Sequence, residues 1–496
     1  MFVSLHSPTD KQLSRKDILL LVGAVLTSLV IYLGLSAATY RIGFPLDDSW
    51  IHQTYARNLA LLGEWSFLPG ELSSGSTSPL WTILLALGFV LHLSPYFWTY
   101  LLGGLLLFGI SILVELILRR SASLYKPAYP WAGCLFALEW HLAWAAFSGM
   151  ETSLHIFLVL FVVSILLTGS RNYLIAGIVV GVSVWVRPDG LTLLGPMCLA
   201  IFLTEQTGSD RMRGLLRLGF GFSVFFFPYL LFNLAISGAP MPNTFYAKQV
   251  EYLGWQSLPL GNRLLFFSLQ FFQGVSLVLI PGFIQKIIRA VRERNWALLV
   301  VAAWMIGYII LYLLRLPVYQ HGRYMMPALA VFILIGFLGF VEGLGFLHSR
   351  QIRLASRTYL SILVVALAIS FAFGGYSYSK DVAFIESQMV DTARWVAINL
   401  PQSGKIAAHD IGALGYFGQH PIVDLAGLIE PEIVPMINDD RRLSDYMVAH
   451  DVQYLVAFSD WKPNLAFRGE KYFVASENAD FQSEYGSMIV YGWSKP

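Results

Sequence analysis

Charge is scarce in this sequence. Asp, Glu, Lys and Arg make up 13% of its 496 residues, against roughly a quarter in an average soluble protein. A water-soluble core of this length needs no such depletion, so a wholly soluble enzyme is excluded. Cysteine is scarcer still. Cys134 and Cys198 are the only two, both within apolar runs, which leaves no disulfide framework and nothing resembling a zinc site. A basic excess is missing as well: the formal net charge is +2, where a nucleic-acid binder should carry a basic surface. Internal repeats are absent, and with them the inverted halves of many transporters. What abounds is apolar sequence, 56% of the chain, which marks a polytopic membrane protein.

The first apolar run, about 18–39, follows Lys11, Arg15 and Lys16 and is expected to act as a signal anchor with the N-terminus in the cytosol. Further runs fall near 79–93, 98–118, 128–147, 152–168, 173–186, 191–204, 218–236, 263–285, 297–314, 324–347 and 358–375. Lys and Arg mark the cytosolic side. The clusters at Arg119/Arg120/Lys126, Arg171, Arg211/Arg213/Arg217, Lys286/Arg289/Arg292/Arg294 and Arg350/Arg353/Arg357 can share that side only if one run before residue 98 fails to cross. The short 79–93 run is the candidate and is expected to be a re-entrant or interfacial helix. The pair 173–186 and 191–204, split by Arg187-Pro188-Asp189-Gly190, is expected to form a hairpin whose polar tip reaches the outer face or an aqueous cavity. Eleven crossings result.

Residues 1–375 carry a net +9 and residues 376–496 a net −7, so the near-neutral total hides two regions of opposite sign. The second region has short β-rich runs at 405–409, 421–424 and 454–458, expected to form a small extracytosolic α/β domain with a mainly parallel sheet. The first is a membrane domain whose first outer loop, 40–97, holds interfacial helices.

Ionisable residues beside a bilayer are functional candidates. Asp47, Asp48, Arg57, Glu71, Glu151, Arg187, Asp189, Lys248, His321 and Arg323 lie in loops facing one side and could converge over one cavity. The adjacent carboxylates of Asp47 and Asp48 repel, and partial desolvation suits one of them to act as a general base. A solvated pair, or a cap for a helix starting at Ile51, competes with that reading. Arg187, Lys248 and Arg323 could hold the phosphate of an anionic lipid, with His321 beside Arg323. Headgroup snorkelling, or a salt bridge between Arg187 and Asp189, competes here. Glu139, near the middle of the 128–147 run, is read as a structural acid hydrogen-bonded to a neighbour.

Asp47-Asp48, Tyr55-Ala56-Arg57-Asn58 and Gly75-Ser76-Thr77-Ser78-Pro79-Leu80-Trp81 together resemble the GT-C class of integral-membrane glycosyltransferases. Ser148-Gly149-Met150-Glu151-Thr152, Val186-Arg187-Pro188-Asp189-Gly190, Pro242 to Lys248 and His321-Gly322-Arg323-Tyr324 extend the likeness. The soluble part adds His409 to Gly415 and Asp424 to Leu428. The pattern is most similar to the mycobacterial-type terminal arabinofuranosyltransferases and their bacterial relatives.

The resemblance implies a fold of about 11 transmembrane helices with a soluble α/β domain. It implies transfer of a sugar from a polyprenyl-phosphate donor to an extracytosolic hydroxyl of a glycan, lipid or protein, by an inverting displacement serving cell-envelope synthesis. Asp47 or Asp48 would be the base. Arg187, Lys248, Arg323 and His321 would bind the donor phosphate, and Arg57, Glu151, Asp189, Asn243 and Tyr246 would orient substrate. No cofactor is expected, although the two adjacent acids could hold a divalent cation. The expected location is a bacterial plasma membrane, with the site and C-terminal domain outside. A transporter or flippase for a lipid-linked sugar is the alternative.

Overall fold

The computed structural model describes residues 12–122, 125, 127–345, 350–466, 469–476, 478, 481–482 and 485–493. Lys11 and Lys126 of the basic flanks, and the end of the 324–347 run, lie outside the described residues. The chain is a bundle of apolar helices carrying a small sheet domain. Helix Arg15–Thr39 opens on a capping box: the Asp17 N–H donates to the Ser14 hydroxyl and the Ser14 N–H donates to the Asp17 carboxylate. Its 25 residues reach about 37 Å, beyond the roughly 30 Å hydrocarbon layer.

Among the described residues six helices are long and apolar enough to cross a membrane: Arg15–Thr39, Pro95–Ser121, Gly208–Ser237, Trp296–Arg315, Gln320–Gly343 and Arg357–Asn399. Helix Pro79–Val90, at 12 residues, reaches only about 18 Å and is too short to span. Helices Tyr173–Val186 and Leu194–Thr204 flank the turn Pro188–Leu193, the broken pair expected from their sequence. Helix Tyr173–Val186 packs closely on Gly208–Ser237. A Cβ on Gly177 would lie 2.1 Å from the Leu218 carbonyl oxygen, and one on Gly221 2.4 Å from that of Leu174. Only glycine permits this approach, as in other small-residue membrane contacts.

Two runs expected as single spans are broken. The 128–147 run forms Trp131–Ala137 and Trp140–Phe147. Glu139 sits at the break, accepting from the Leu142 N–H at 3.0 Å and lying 2.8 Å from His141 Nδ1. An acid inside the helix would be unsatisfied; at its start it caps. The 263–285 run divides into Leu260–Phe271, Val275–Val278 and Ile280–Arg292, with Gly274 left-handed at φ 58°. The eleven expected crossings thus include runs that fold as short or broken helices.

Helix Arg350–Phe384 runs without interruption into a π-helical turn, Ile385–Val390, and helix Asp391–Asn399. The boundary expected at 375/376 therefore falls inside a helix. Composition changes there while backbone hydrogen bonding continues. Arg41 pins the turn, pairing with Glu386 and Asp391 at 2.6 Å each.

The sheet domain contains β1 (Ile406–Ala408), β2 (Ile422–Asp424), β3 (Tyr454–Phe458), β4 (Gly469–Val474) and β5 (Met488–Trp493), in the order β2-β1-β3-β5-β4. β1 pairs in parallel with β2 and β3, while β5 is antiparallel to both β3 and β4. The sheet is mixed, where a mainly parallel one was expected. The strands β1, β2, β3 and β5 are buried on both faces, while the edge strand β4 is largely exposed. Ala407, Val423, Leu455 and Ile489 pack with Leu443 and Met447 of helix Asp440–Ala449. Ile406, Ala408, Val456 and Val490 belong to the core that continues into the membrane body, so the domain is seated on the bundle by apolar contact.

Candidate active site

Helix Asp48–Leu62 begins at the expected acidic pair, with Asp47 at the N-cap position but no side-chain capping bond. The two carboxylates have separated tasks. Asp47 reaches into the sheet domain, where Gly412 N–H donates to Oδ2 at 2.7 Å and Ala413 N–H to Oδ1 at 2.8 Å. Burial, and then the nearby Asp410, push its carboxyl up to about 7 despite those donors. Asp48 faces a cavity of about 390 Å³. Burial alone would raise its carboxyl, but Lys248 and Arg323 hold it well below the usual carboxylate range. Arg323 Nη2 lies 2.5 Å from Asp48 Oδ2 and Lys248 Nζ lies 3.9 Å from the same oxygen.

The motifs of the first loop support that helix. Ser76 Oγ lies 3.0 Å from His52 Nδ1 and 2.8 Å from Thr82 Oγ1. The Trp81 indole N–H donates to the Gly149 carbonyl, and the Ser49 hydroxyl to that of Ser148. Gly149 is left-handed, and a Cβ there would press on Ser49 at 2.8 Å. The resulting turn delivers Glu151 to the cavity, where Oε1 lies 2.8 Å from Arg187 Nη1 and Oε2 lies 3.5 Å from His52 Nε2.

Arg187 and Asp189, at the tip of the broken hairpin, are 3.1 Å apart. Tyr308 and Tyr312 each donate a hydroxyl to Asp189 Oδ2 at 2.5 Å. Tyr324 gathers the cations: Arg323, Arg187 and Lys248 lie 4.9, 5.2 and 5.5 Å from its ring centroid, and Lys248 also donates to its hydroxyl at 2.9 Å. Gln320, His321 and Gly322 are consecutively left-handed, which turns the chain between Trp296–Arg315 and Met326–Gly345. Such backbone costs on the order of 1–3 kcal/mol per non-glycine residue and clusters at functional sites. Arg323 is buried, and its Nε and Nη1 find no hydrogen-bond partner among the described residues.

Six of the eleven expected site residues therefore line one cavity: Asp48, Glu151, Arg187, Asp189, Lys248 and Arg323. Asp47 and Asp48 together line a second cavity of about 230 Å³. Four expectations are corrected. Arg57 donates to the Tyr416 and Gly415 carbonyls and stacks on the Tyr416 ring, tying its helix to the sheet domain away from both cavities. His321 lies 2.7 Å from Asp381 and outside the larger cavity. Asn243 is buried and Tyr246 faces outward against Phe245, because their helix, Asn243–Glu251, turns Thr244, Phe245 and Lys248 to the cavity instead.

Sequence reasoning missed His52, Tyr308, Tyr312, Arg315 and Asp381, and gave Tyr324 no role of its own. Some signals were present. His52 follows Asp48 by one helical turn, Tyr308 and Tyr312 repeat that spacing, and Tyr324 adjoins Arg323. The sheet domain contributes Leu428 to the larger cavity and Asp410 to the smaller. His409 lies 3.6 Å from Glu251 on the Lys248 helix. Burial works against a charged ring there, but Asp410 and then Glu251 hold His409 protonated well above its ordinary range. Among the described residues no three His, Cys, Asp or Glu side chains converge as a metal site requires.

A helical membrane body with its polar site under a small sheet domain is the GT-C glycosyltransferase fold. ArnT from Cupriavidus metallidurans, solved bound to undecaprenyl phosphate, is similar over 95% of this chain and 97% of its own, at 14% identity and a TM-score of 0.60. The Archaeoglobus fulgidus oligosaccharyltransferase in its apo form is similar over 96% of this chain and 74% of its own, at 12% identity and a TM-score of 0.56. Arabinofuranosyltransferase AftD from Mycobacteria is similar over 97% of this chain but 42% of its own, at 15% identity and a TM-score of 0.50. Residues 380–491 match a family described as a domain of unknown function, DUF8728. Comparison with curated protein sequences gave no match.

Proposed function

We propose that this chain is a membrane glycosyltransferase that moves a sugar from a polyprenyl-phosphate donor to an acceptor hydroxyl, with inversion at the anomeric carbon. The observation that carries the reading is Asp48. Asp48 belongs to the walls of both cavities, one lined by four Lys or Arg residues and the other, among the described residues, by none. A donor and an acceptor held on its two sides would meet there.

In the larger cavity, Arg323, Lys248 and Arg187 supply positive charge for a lipid phosphate. Met241, Phe245, Leu311 and Leu316 line the same space and suit the first isoprene units. Undecaprenyl phosphate, the lipid in the ArnT structure, is a donor carrier of this kind. Glu151 and Asp189 hold Arg187 in place.

Asp48 is the base in this proposal, and Asp47 is the anchor of the sheet domain. A phosphate competing for Arg323 and Lys248 would raise the proton affinity of Asp48 toward the range a base needs. Asp48 then takes the acceptor hydroxyl proton while that oxygen bonds to the anomeric carbon. The bond from that carbon to the phosphate oxygen breaks, and its electron pair leaves with the phosphate, where the cations stabilise the growing charge. The positive-inside pattern supports a cytosolic N-terminus, with the site and sheet domain outside a bacterial plasma membrane.

The test is incubation of purified protein with a panel of polyprenyl-phosphate sugars and candidate acceptors, following polyprenyl phosphate release. At least one donor should release it in step with acceptor glycosylation. Transbilayer movement of lipid-linked sugar in vesicles, with no release from any donor, would replace this reading with the flippase alternative.

A further inference from the structure

We propose that the smaller cavity is the acceptor subsite and that Asp381 grips an uncharged, hydroxyl-rich acceptor there. The inference rests on the lipid-donor reading and deepens it by naming the acceptor's chemical class and a residue that selects it. The cavity encloses about 230 Å³ and shares Asp48 with the donor cavity. An occupant therefore shares a wall residue, Asp48, with the donor.

The two walls differ in charge. Arg187, Lys248, Arg315 and Arg323 line the donor cavity, whereas no Lys or Arg lines the smaller one among the described residues. An acceptor carrying phosphate or carboxylate would find, among the described residues, no Lys or Arg in this wall to bind it. Hydroxyl groups, in contrast, donate well to carboxylates. The apolar part of the wall, Phe384, Ile385 and Met389, suits the C–H face of a sugar ring. The volume lies below the roughly 300 Å³ at which pockets for drug-sized ligands begin, which fits a single terminal sugar unit.

Asp381 is the carboxylate left free to bind it. The Trp144 indole N–H donates to its Oδ2 at 2.8 Å, and His321 Nε2 lies 2.7 Å from the same oxygen. Trp144 is 1% exposed, and His321 packs edge-on against Trp140 and Trp144. One oxygen is thus held by the buried Trp144 and by His321. No hydrogen bond engages Oδ1 among the described residues, and the side chain keeps 31% of its surface exposed. The neighbouring acids are committed elsewhere: Asp47 to Gly412 and Ala413, Asp48 to Arg323, and Asp410 to His409. His321 is accordingly a positioning residue that acts through Asp381.

Saturation-transfer NMR on the full chain in lipid nanodiscs tests this, with methyl α-glucoside, glucose 6-phosphate and undecaprenyl phosphate as probes. The glucoside should bind, should stay bound when undecaprenyl phosphate saturates the protein, and should bind better than the sugar phosphate. Asp381→Ala should weaken the glucoside about tenfold while leaving undecaprenyl phosphate affinity unchanged. Met389→Trp, which fills the cavity floor, should do the same if the aspartate variant fails to fold. His321→Gln, still able to donate to Oδ2, should retain the glucoside, and His321→Phe should lose it. Displacement of the glucoside by the lipid, preference for glucose 6-phosphate, no glucoside binding, or equal loss of both ligands in the variants overturns the proposal. Failure of undecaprenyl phosphate to bind the native chain overturns the donor reading instead, and the glucoside result still reads the subsite.

Discussion

The two cavities on either side of Asp48 are built from opposite materials. The larger one draws Arg187, Lys248, Arg315 and Arg323 from three separate stretches of chain and sets Glu151 and Asp189 to hold Arg187. The smaller one sets acids from the first loop, the last long helix and the sheet domain around a space no Lys or Arg lines among the described residues. Adjacent aspartates are divided by the same boundary. Asp48 is held ionised by cations, while Asp47 is pushed toward the neutral form and bonded to backbone N–H groups. Like residues, one peptide bond apart, acquire different chemistry from what the rest of the fold places beside them.

The sharpest way to break this division is to neutralise each aspartate in turn. Asp48→Asn should lower sugar transfer by about 10²–10⁴-fold, the usual share of a general base, while undecaprenyl phosphate still binds. Asp47→Asn keeps an oxygen for one of its two N–H donors and should cost less than about tenfold. Transfer rates measured side by side decide the matter, and equal losses would erase the distinction.

Next in size is the cationic wall. Arg323→Lys keeps the charge but not the planar fork whose Nη2 reaches both Asp48 and the Tyr324 hydroxyl. A loss of about 10²-fold in transfer is expected, with weaker binding of undecaprenyl phosphate in titrations. Full activity in this variant would show that charge alone suffices.

The smallest effect is on stability against pH. Burial is the largest cause raising Asp47 to about 7, Asp424 to about 6 and Glu430 to about 7. All three release protons near 4 when unfolded, so the folded state holds more protons between about pH 4 and pH 7. These three groups therefore contribute a fall in stability as pH rises through that window. The melting temperature should drop from pH 5 to pH 8, and Asp424→Asn should flatten the slope. A melting temperature that climbs over this range contradicts these proton affinities.

Much of this was legible in sequence. Short runs flanking Arg187–Gly190 foretold the broken hairpin, because polar backbone in a membrane must face a cavity. Six residues of the cavity wall were expected there, since charge beside a bilayer persists only where it is used. Other features were not legible. The breaks at Glu139 and Gly274 interrupt runs whose composition reads as continuous span, because a cap and a left-handed glycine act locally. Arg57, His321, Asn243 and Tyr246 were expected at the site, yet helix phase and a left-handed turn send them elsewhere.

The sequence by itself determined that the chain is a membrane protein, that its few charges gather over one region, and that residues after about 376 form a different kind of domain. Transfer free energy decides these matters residue by residue, so composition and charge order reveal them. Only the tertiary structure decided which aspartate faces the cations and which anchors the sheet domain. It also decided that Asp381, far along the chain, shares a cavity with them. Proton affinity and hydrogen-bond partners depend on groups within a few ångströms, and those groups come from loops separated by hundreds of residues.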